Sequence, residues 1–329
     1  MVSVGSQGNL DTGATDIETG RSAVKFFSLP DAQERSTPFD YAADGRVLGW
    51  GLRNSVGLTV NPKTGGVWTV ENSVDMLRRG GQEVWQDNPG EELNFHGNVD
   101  EIFSNTSYVG PNYGYPYCAA VWDVPSLPDN SGLATGDQIQ LEQATVQGEK
   151  PSDEDCQDPD QFVAPRLTFQ AHMAPLDCTF DYFGGNASGG GDGGLWVSFH
   201  GSWNREVPAG YKLSKVPFDP ATGQPLAGPG ERKNYEDVIW NADTMQCKQN
   251  RCFRPVGVVV DAKGRVWMGS DASGELFVLW TKGDRSGSDN STVTVPDNNE
   301  EKPSGAGKTA GICATAVAMW VALVGAWLA

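Results

Sequence analysis

Four short apolar runs, spaced almost evenly along the chain, limit what it can fold into. VSVGS (residues 2–6), VWTVE (67–71), LWVSF (195–199) and VWMGS (266–270) are rich in β-branched and aromatic residues and bordered by Gly-rich stretches, which is how short strands are written. GLTV (57–60) precedes the second across the turn NPKTGG (61–66), and GVVV (257–260) precedes the fourth across DAKG (261–264). Each such pair reads as a hairpin. The runs begin at Val2, Val67, Leu195 and Val266, at intervals of 65, 128 and 71 residues. The middle interval is close to twice the first, so the chain repeats about every 65 residues, with one irregular unit between Tyr113 and Phe169. A repeating antiparallel hairpin points to a β-propeller, whose blades are small sheets around a channel. The outer parts of the units are visible in SAVKFF (22–27), YKLSKV (211–216) and ELFVLW (275–280). The expected fold is therefore all-β, a propeller of about four blades over residues 1–283. The acidic, Gln-rich segment 123–165 is expected to be an excursion on one face.

Composition agrees: 329 residues with 41 Gly, 20 Pro and 11 Trp, and no helical heptads. A net charge of −18 excludes nucleic acid as a partner, since phosphates are held by Lys and Arg. The C-terminus is a different kind of sequence. Residues 310–329 are uncharged, Ser304-Gly305-Ala306-Gly307 precede them, and residues 284–303 form a polar stalk. Small residues, a spacer and a terminal apolar tail match a GPI-anchor signal over 304–329, with attachment at Ser304 or Gly305. A tail-anchored span of 20 residues is the alternative. Both readings attach the chain to a membrane, the first on the outer face of the plasma membrane or in the cell wall. The sequons at Asn105, Asn186 and Asn290 agree with an extracellular setting. Residues 1–8 lack a basic flank and an apolar core of signal-peptide length, so the chain is expected to begin inside a domain. Of the six Cys, Cys313 lies in the tail. Cys247 and Cys252 lie close enough for a local disulfide, Cys118 and Cys156 flank the acidic segment, and Cys178 is left over.

Polar residues just beyond the inner strands of a propeller face its channel, so they are the candidates for chemistry. Arg53-Asn54 precede one inner hairpin and Glu71-Asn72-Ser73-Val74-Asp75 follow it. His172 precedes the next, His200 follows it, and Arg254 precedes the last. A single His is ordinarily a surface or core residue. Two of the chain's three His and two Arg at equivalent positions form a cationic group in an acidic protein, suited to a small polyanion. His96, after Glu91-Glu92-Leu93-Asn94, is expected in a loop.

The motifs GLRNSVGLTVNP, VENSVDMLRRGGQEVWQDNPGEELN, AHMAPL, FHGSWNR, GYKLSKVPF and RPVGVVVDAKGRVW, in this order, resemble the glucose/sorbosone dehydrogenase family, in particular the fungal pyranose dehydrogenases that depend on pyrroloquinoline quinone (PQQ). The resemblance runs from Met1 to about Leu279. It implies a six-bladed propeller, of which the chain would hold part, with PQQ and calcium in the channel and a sugar oxidised by hydride transfer to the quinone. Arg53 would stand near the reactive quinone carbonyl, with Asn54 as a neighbouring contact. His172 and His200 fall where bacterial members place Thr and Lys toward the cofactor, and Arg254 matches an Arg that pairs with a cofactor carboxylate. The Glu71-Asn72-Ser73-Val74 turn would offer backbone oxygens to calcium. Soluble bacterial members carry Gly-Pro at Ser73-Val74. Glu92 matches a ligand of a second, structural calcium. The family's general-base His would lie upstream of Val2, about 15–20 residues away by the family's spacing, and none of the three His occupies that position. The electron acceptor would be external: a quinone, a cytochrome or a copper oxygenase. The alternatives are a non-catalytic surface propeller that binds glycan or protein, and a wall structural protein.

Overall fold

The computed structural model describes residues 1–144, 150–181, 193–249 and 251–280. By contacts the chain separates into Met1–Asp284 and Arg285–Ala329. The stalk, the tail, Ser304, Gly305, Cys313, Asn186 and Asn290 lie outside the described residues.

Among the described residues, four antiparallel sheets of three or four strands follow one another along the chain, beside two two-stranded ribbons. The first holds Val2–Val4, Ala23–Phe26 and Arg46–Trp50. The second holds Ser55–Val60, Gly66–Glu71, Glu91–Asn98 and Leu167–Phe169, and the third Pro175–Phe180, Gly194–Phe199, Lys212–Pro217 and Glu236–Trp240. The fourth holds Pro255–Val260, Val266–Ser270 and Glu275–Leu279. The strand Pro175–Phe180 of the third sheet packs against both Ser55–Val60 and Pro255–Val260. The leading strands of three successive sheets thus meet at one side, which is the propeller arrangement.

The inner hairpins repeat because their turns solve the same problem the same way. Asn61 Oδ1 accepts the backbone N–H of Lys63 and Thr64, and Asp261 Oδ1 accepts those of Lys263 and Arg265. Gly65 and Gly264 then reverse the chain at φ +74° in both turns, a conformation that costs a Cβ-bearing residue. The second strands of the two middle sheets, Gly66–Glu71 and Gly194–Phe199, are buried along their whole length, because neighbouring sheets pack against them. Trp68, Val70, Leu93 and Phe169 of the second sheet meet Phe180, Val197 and Phe199 of the third. Phe218 sits edge-on to both Trp68 and Phe180, with ring centroids 5.0 Å apart in each case. Each such side chain contributes about 1.5–3 kcal/mol on burial. Leu213 and Trp196 meet Val258, Val260 and Met268 in the next seam.

Two expectations need correction. The interval of 128 residues between Val67 and Leu195 holds no further sheet of three or four strands among the described residues, only two-stranded ribbons. It holds an insertion, after which Leu167–Phe169 returns as the outer strand of the second sheet, paired with Glu91–Leu93. Nor is that insertion a bare excursion. Cys118–Ala120 pairs with Gln138–Gln140, Cys118 is joined to Cys156, and Leu127, Ile139 and Leu141 bury themselves with Val74, Leu77 and Val84. Two of its acidic residues, Asp123 and Asp153, pair with Arg232 and Arg79, and its apolar ones pack into one core with Ala14, Val74, Leu77 and Val84.

Candidate active site

The inner ends of the sheets carry the polar residues singled out above, and Asp75 is what organises them. Its carboxylate takes the Arg53 guanidinium at 3.1 Å and the Asn204 amide at 3.0 Å, and lies 3.5 Å from His172 Nδ1. Asn9 grips the same residue by its backbone, accepting the Asp75 N–H at 2.7 Å and donating to its carbonyl at 2.7 Å. Burial works to raise the Asp75 carboxyl, but the His172 hydrogen bond and the Arg53 charge outweigh it and hold it below the usual value. His172 Nε2 meets the Trp85 carbonyl at 2.5 Å, so both ring nitrogens face oxygens. His172 and Ala174 hold positive φ (62° and 53°), a strained conformation for such residues.

Glu91 links this cluster to the next one. It is buried, and its two oxygens accept the N–H of Ser73 at 2.7 Å and of Ala174 at 3.3 Å. It thereby ties the turn after the second sheet's inner hairpin to the turn before the third's. His200 and Gly201 donate their N–H groups to Ala174 and Met173 at 2.9 Å each. The carbonyls of His200 and Gly201 in turn accept Arg254 Nε and Nη2 at 3.2 and 2.7 Å. Arg53, His172, His200 and Arg254 therefore stand on one continuous arc of hydrogen bonds. Arg254 lies 5.3 Å from the Tyr211 ring centroid and has no carboxylate within ion-pair distance among the described residues. His200 Nε2 lies 3.1 Å from both oxygens of Asp271. Burial lowers the His200 pKa, and the Arg254 charge lowers it further.

The remaining candidates are placed as follows. Asn54 accepts the Asn72 N–H through its backbone at 3.0 Å. Glu71 is buried at the end of its strand and accepts the Arg53 N–H at 2.7 Å and the Ser55 hydroxyl at 3.1 Å. It faces Glu92 across the sheet, and burial, then each other's proximity, pushes Glu71 well up. Glu92 is raised as well, by burial above all, and accepts the Asn94 amide at 3.0 Å. Val74 is buried in the insertion's core. The carbonyls of Ser73 and Val74 accept no hydrogen bond among the described residues. No group of three or more His, Cys, Asp and Glu side chains there forms a metal site. Cys247 is bonded to Cys252, and Cys178 is a buried free thiol. Asn105 is exposed beyond a short helix. His96 is not in a loop. It lies within Glu91–Asn98, buried, with Nε2 2.8 Å from the Thr69 hydroxyl and its ring against Tyr113. The alternation Glu92, Asn94, His96 looks like a solvent-facing edge, but Tyr113 and the first sheet cover that face.

A family model described as TrAA12-like matches residues 1–282. The chain belongs to the TrAA12-like family. It is 40% identical over 284 residues to the pyrroloquinoline quinone-dependent sugar dehydrogenase of Hypocrea jecorina, covering 86% of this chain and 60% of that protein. It is 33% identical over 292 residues to a PQQ-dependent pyranose dehydrogenase of Coprinopsis cinerea, covering 84% of this chain and 37% of that one. Among solved structures, a calcium structure of the Trichoderma reesei carbohydrate-active enzyme family AA12 matches with a TM-score of 0.75 at 41% identity, over 85% of this chain and 64% of that one. The holo PQQ domain of the C. cinerea pyranose dehydrogenase matches with a TM-score of 0.68 at 32% identity, over 84% and 65%. The chain thus spans less than two thirds of these relatives. Sequence reading singled out both arginines, two of the histidines and the run ending at Asp75, but assigned no role to Asp75, Asn9, Glu91 or Asn204. Asp75 and Asn204 had one local signal, their adjacency to other candidates within ENSVD and HGSWNR.

Proposed function

We propose that this chain carries the quinone site of a PQQ-dependent sugar dehydrogenase, its four sheets being blades of a six-bladed ring. The observation that carries the reading is the Arg254 guanidinium. It is clamped by two carbonyls, has no acidic partner among the described residues, and is joined to Arg53, His172 and His200 by one hydrogen-bonded arc. A cation held in place and left uncompensated is a receptor for an anion. PQQ is a tricarboxylate quinone, and the residues fit it. Besides Arg254, the buried Arg53 Nε is an N–H donor with no partner. When bound, PQQ would supply the hydride acceptor. Arg254 would hold a carboxylate, Arg53 would stabilise charge developing at a quinone carbonyl, and Asn54, His172 and His200 would fix the ring. Asp75 would keep Arg53 in register.

Calcium belongs to the same proposal, with the free Ser73 and Val74 carbonyls and the Glu71 turn supplying hard oxygens. For a second, structural calcium, Glu92 has the orphaned oxygens Asn94 Oδ1 and Thr168 Oγ1 in its surroundings, Asn94 bonded to it and Thr168 opposite it in register. The substrate is a pyranose, and the electron acceptor a separate quinone, cytochrome or copper oxygenase. The apolar run 310–329 supports tethering at the outer cell surface, and the exposed Asn105 supports glycosylation. A second reading, a non-catalytic propeller that binds glycan, is favoured by one fact. All three imidazoles are engaged, His96 by Thr69, His172 by Asp75 and Trp85, and His200 by Asp271. Titration of the chain with PQQ and calcium, followed by visible absorbance, separates the two. Saturable stoichiometric binding is expected, and its absence would falsify the quinone reading.

A further inference from the structure

Trp203 is an indole with nothing to do in the fold. It is 71% exposed, and it makes no hydrogen bond, ring contact or cation contact among the described residues. Exposing a ring of this size forgoes a large hydrophobic gain; of the described exposed Trp residues, Trp240 at 56% and Trp280 at 44% are less exposed, and Trp240 lies on an outer strand. Trp203 is different because of what holds it. On one side Ser202 is buried, exchanges hydrogen bonds with Ala209 at 2.8 and 3.0 Å, and offers its carbonyl to the Tyr211 hydroxyl. On the other, the Asn204 amide is bonded to Asp75 at 3.0 Å, and Arg205 is bonded to Asp87 at 3.0 Å and to the Gln86 carbonyl. The backbone under the indole is pinned on both sides, so the ring is presented and not merely loose. Its nearest anchor, Asn204, ends on the carboxylate that also holds Arg53 and His172. Two more exposed apolar residues flank the same polar group: Met76, which follows Asp75 at φ 57°, and Val207, whose carbonyl accepts Arg205 Nε.

An exposed aromatic face and apolar lips beside carboxylate, amide and guanidinium groups is the chemistry that recognises a pyranose. The C–H face of the ring packs on the indole while its hydroxyls turn to the polar side chains. We propose that Trp203 is the stacking platform for the sugar ring, and so a specificity-determining residue for cyclic over open-chain polyols. The proposal rests on the reading of this site as sugar-directed.

Saturation-transfer NMR of the full chain with D-glucose, D-galactose and, as an open-chain control, sorbitol tests it. Stacking requires that the axial protons of one glucose face, H1, H3 and H5 of the β anomer, receive the strongest saturation, and that sorbitol receive little. W203A is expected to weaken glucose about fivefold to tenfold, and W203F to retain most of the binding. Far-UV circular dichroism checks that each variant is folded, and PQQ titration is run on each in parallel. Unchanged glucose binding in folded W203A, uniform saturation of all ring protons, or no glucose signal in the parent chain overturns the platform. PQQ binding that persists in those cases leaves the quinone reading standing. Loss of glucose binding alone in W203A, with PQQ retained, supports the platform. A chain that stacks glucose through Trp203 but takes up no PQQ supports the platform and removes the quinone reading.

Discussion

The two ends of the polar arc hold the same kind of cation in opposite electrostatic situations. Arg53 faces a carboxylate that is itself gripped by Asn9, Asn204 and His172, and both partners of this ion pair are about four-fifths buried, at 17% and 21% side-chain exposure. Arg254 faces two carbonyls and the Tyr211 ring, and no carboxylate among the described residues. The first arrangement spends its charge on internal order, and the second keeps it for a ligand. The contrast separates positioning from binding within one site, and it makes the two arginines respond differently to the same kind of substitution.

The largest effect is expected at the compensated end. D75A strands the Arg53 charge in a mostly buried place and frees His172 and Asn204 from their common anchor. A loss of about 2–4 kcal/mol is expected, somewhat below the fully buried range because water still reaches the pair. Urea unfolding measures it, and a loss under about 1 kcal/mol would mean that Asp75 is not the organiser.

A second carboxylate sharpens the contrast because no cation offsets it among the described residues. Asp177, on the leading strand of the third sheet, is partly buried, and desolvation raises it to about 6, although the Val258 and Cys178 N–H groups oppose the shift. A Cβ at Gly57 of the neighbouring sheet would stand 2.7 Å from its Cα, so the strands here have no slack. The folded pKa lies above the unfolded one, near 3.8. The stabilising contribution is therefore complete below about pH 4 and lost as pH rises through 6, about 3 kcal/mol in all. D177N should flatten that part of the stability profile between pH 4 and 8. An unchanged profile would show that the carboxyl stays ionised throughout.

Legibility followed the range of the interactions. The inner hairpins were readable because a turn such as that of Asn61 or Asp261 is settled within five residues. The propeller followed from their repetition, and the site arginines from their position next to those hairpins. The outer strand Leu167–Phe169 was not readable, since its partner Glu91–Leu93 lies across an insertion with its own core. His96 was misplaced for a related reason, since what buries it is Tyr113 and another sheet. Asp75 stood among the candidates without a role, because that role comes from residues 9, 53, 172 and 204, which only the folded arc brings together. Charge compensation is a pairwise, long-range property, and one sequence does not display it.

The open end of the arc should give a smaller stability effect and a larger ligand effect. R254M removes a cation whose only polar partners are two carbonyls, so it should cost about 1 kcal/mol in urea unfolding. It should weaken PQQ about 10- to 100-fold, the worth of one charge-assisted pair. Equal PQQ affinity in R254M would place the anion elsewhere. The finest test is the titration of His200, readable by NMR because the chain has three His and His96 is pushed down to about 4 by burial. Burial, then the Arg254 charge, lowers the His200 pKa, while Asp271 raises it. R254M should therefore move its midpoint up and D271N should move it down. The native protein prefers His200 neutral, so its contribution to stability is present above the unfolded value of 6.5 and lost as pH falls through the folded one. R254M should shrink that loss. If instead the midpoint stays where it was, Arg254 does not direct its charge toward His200, and the two do not share one site.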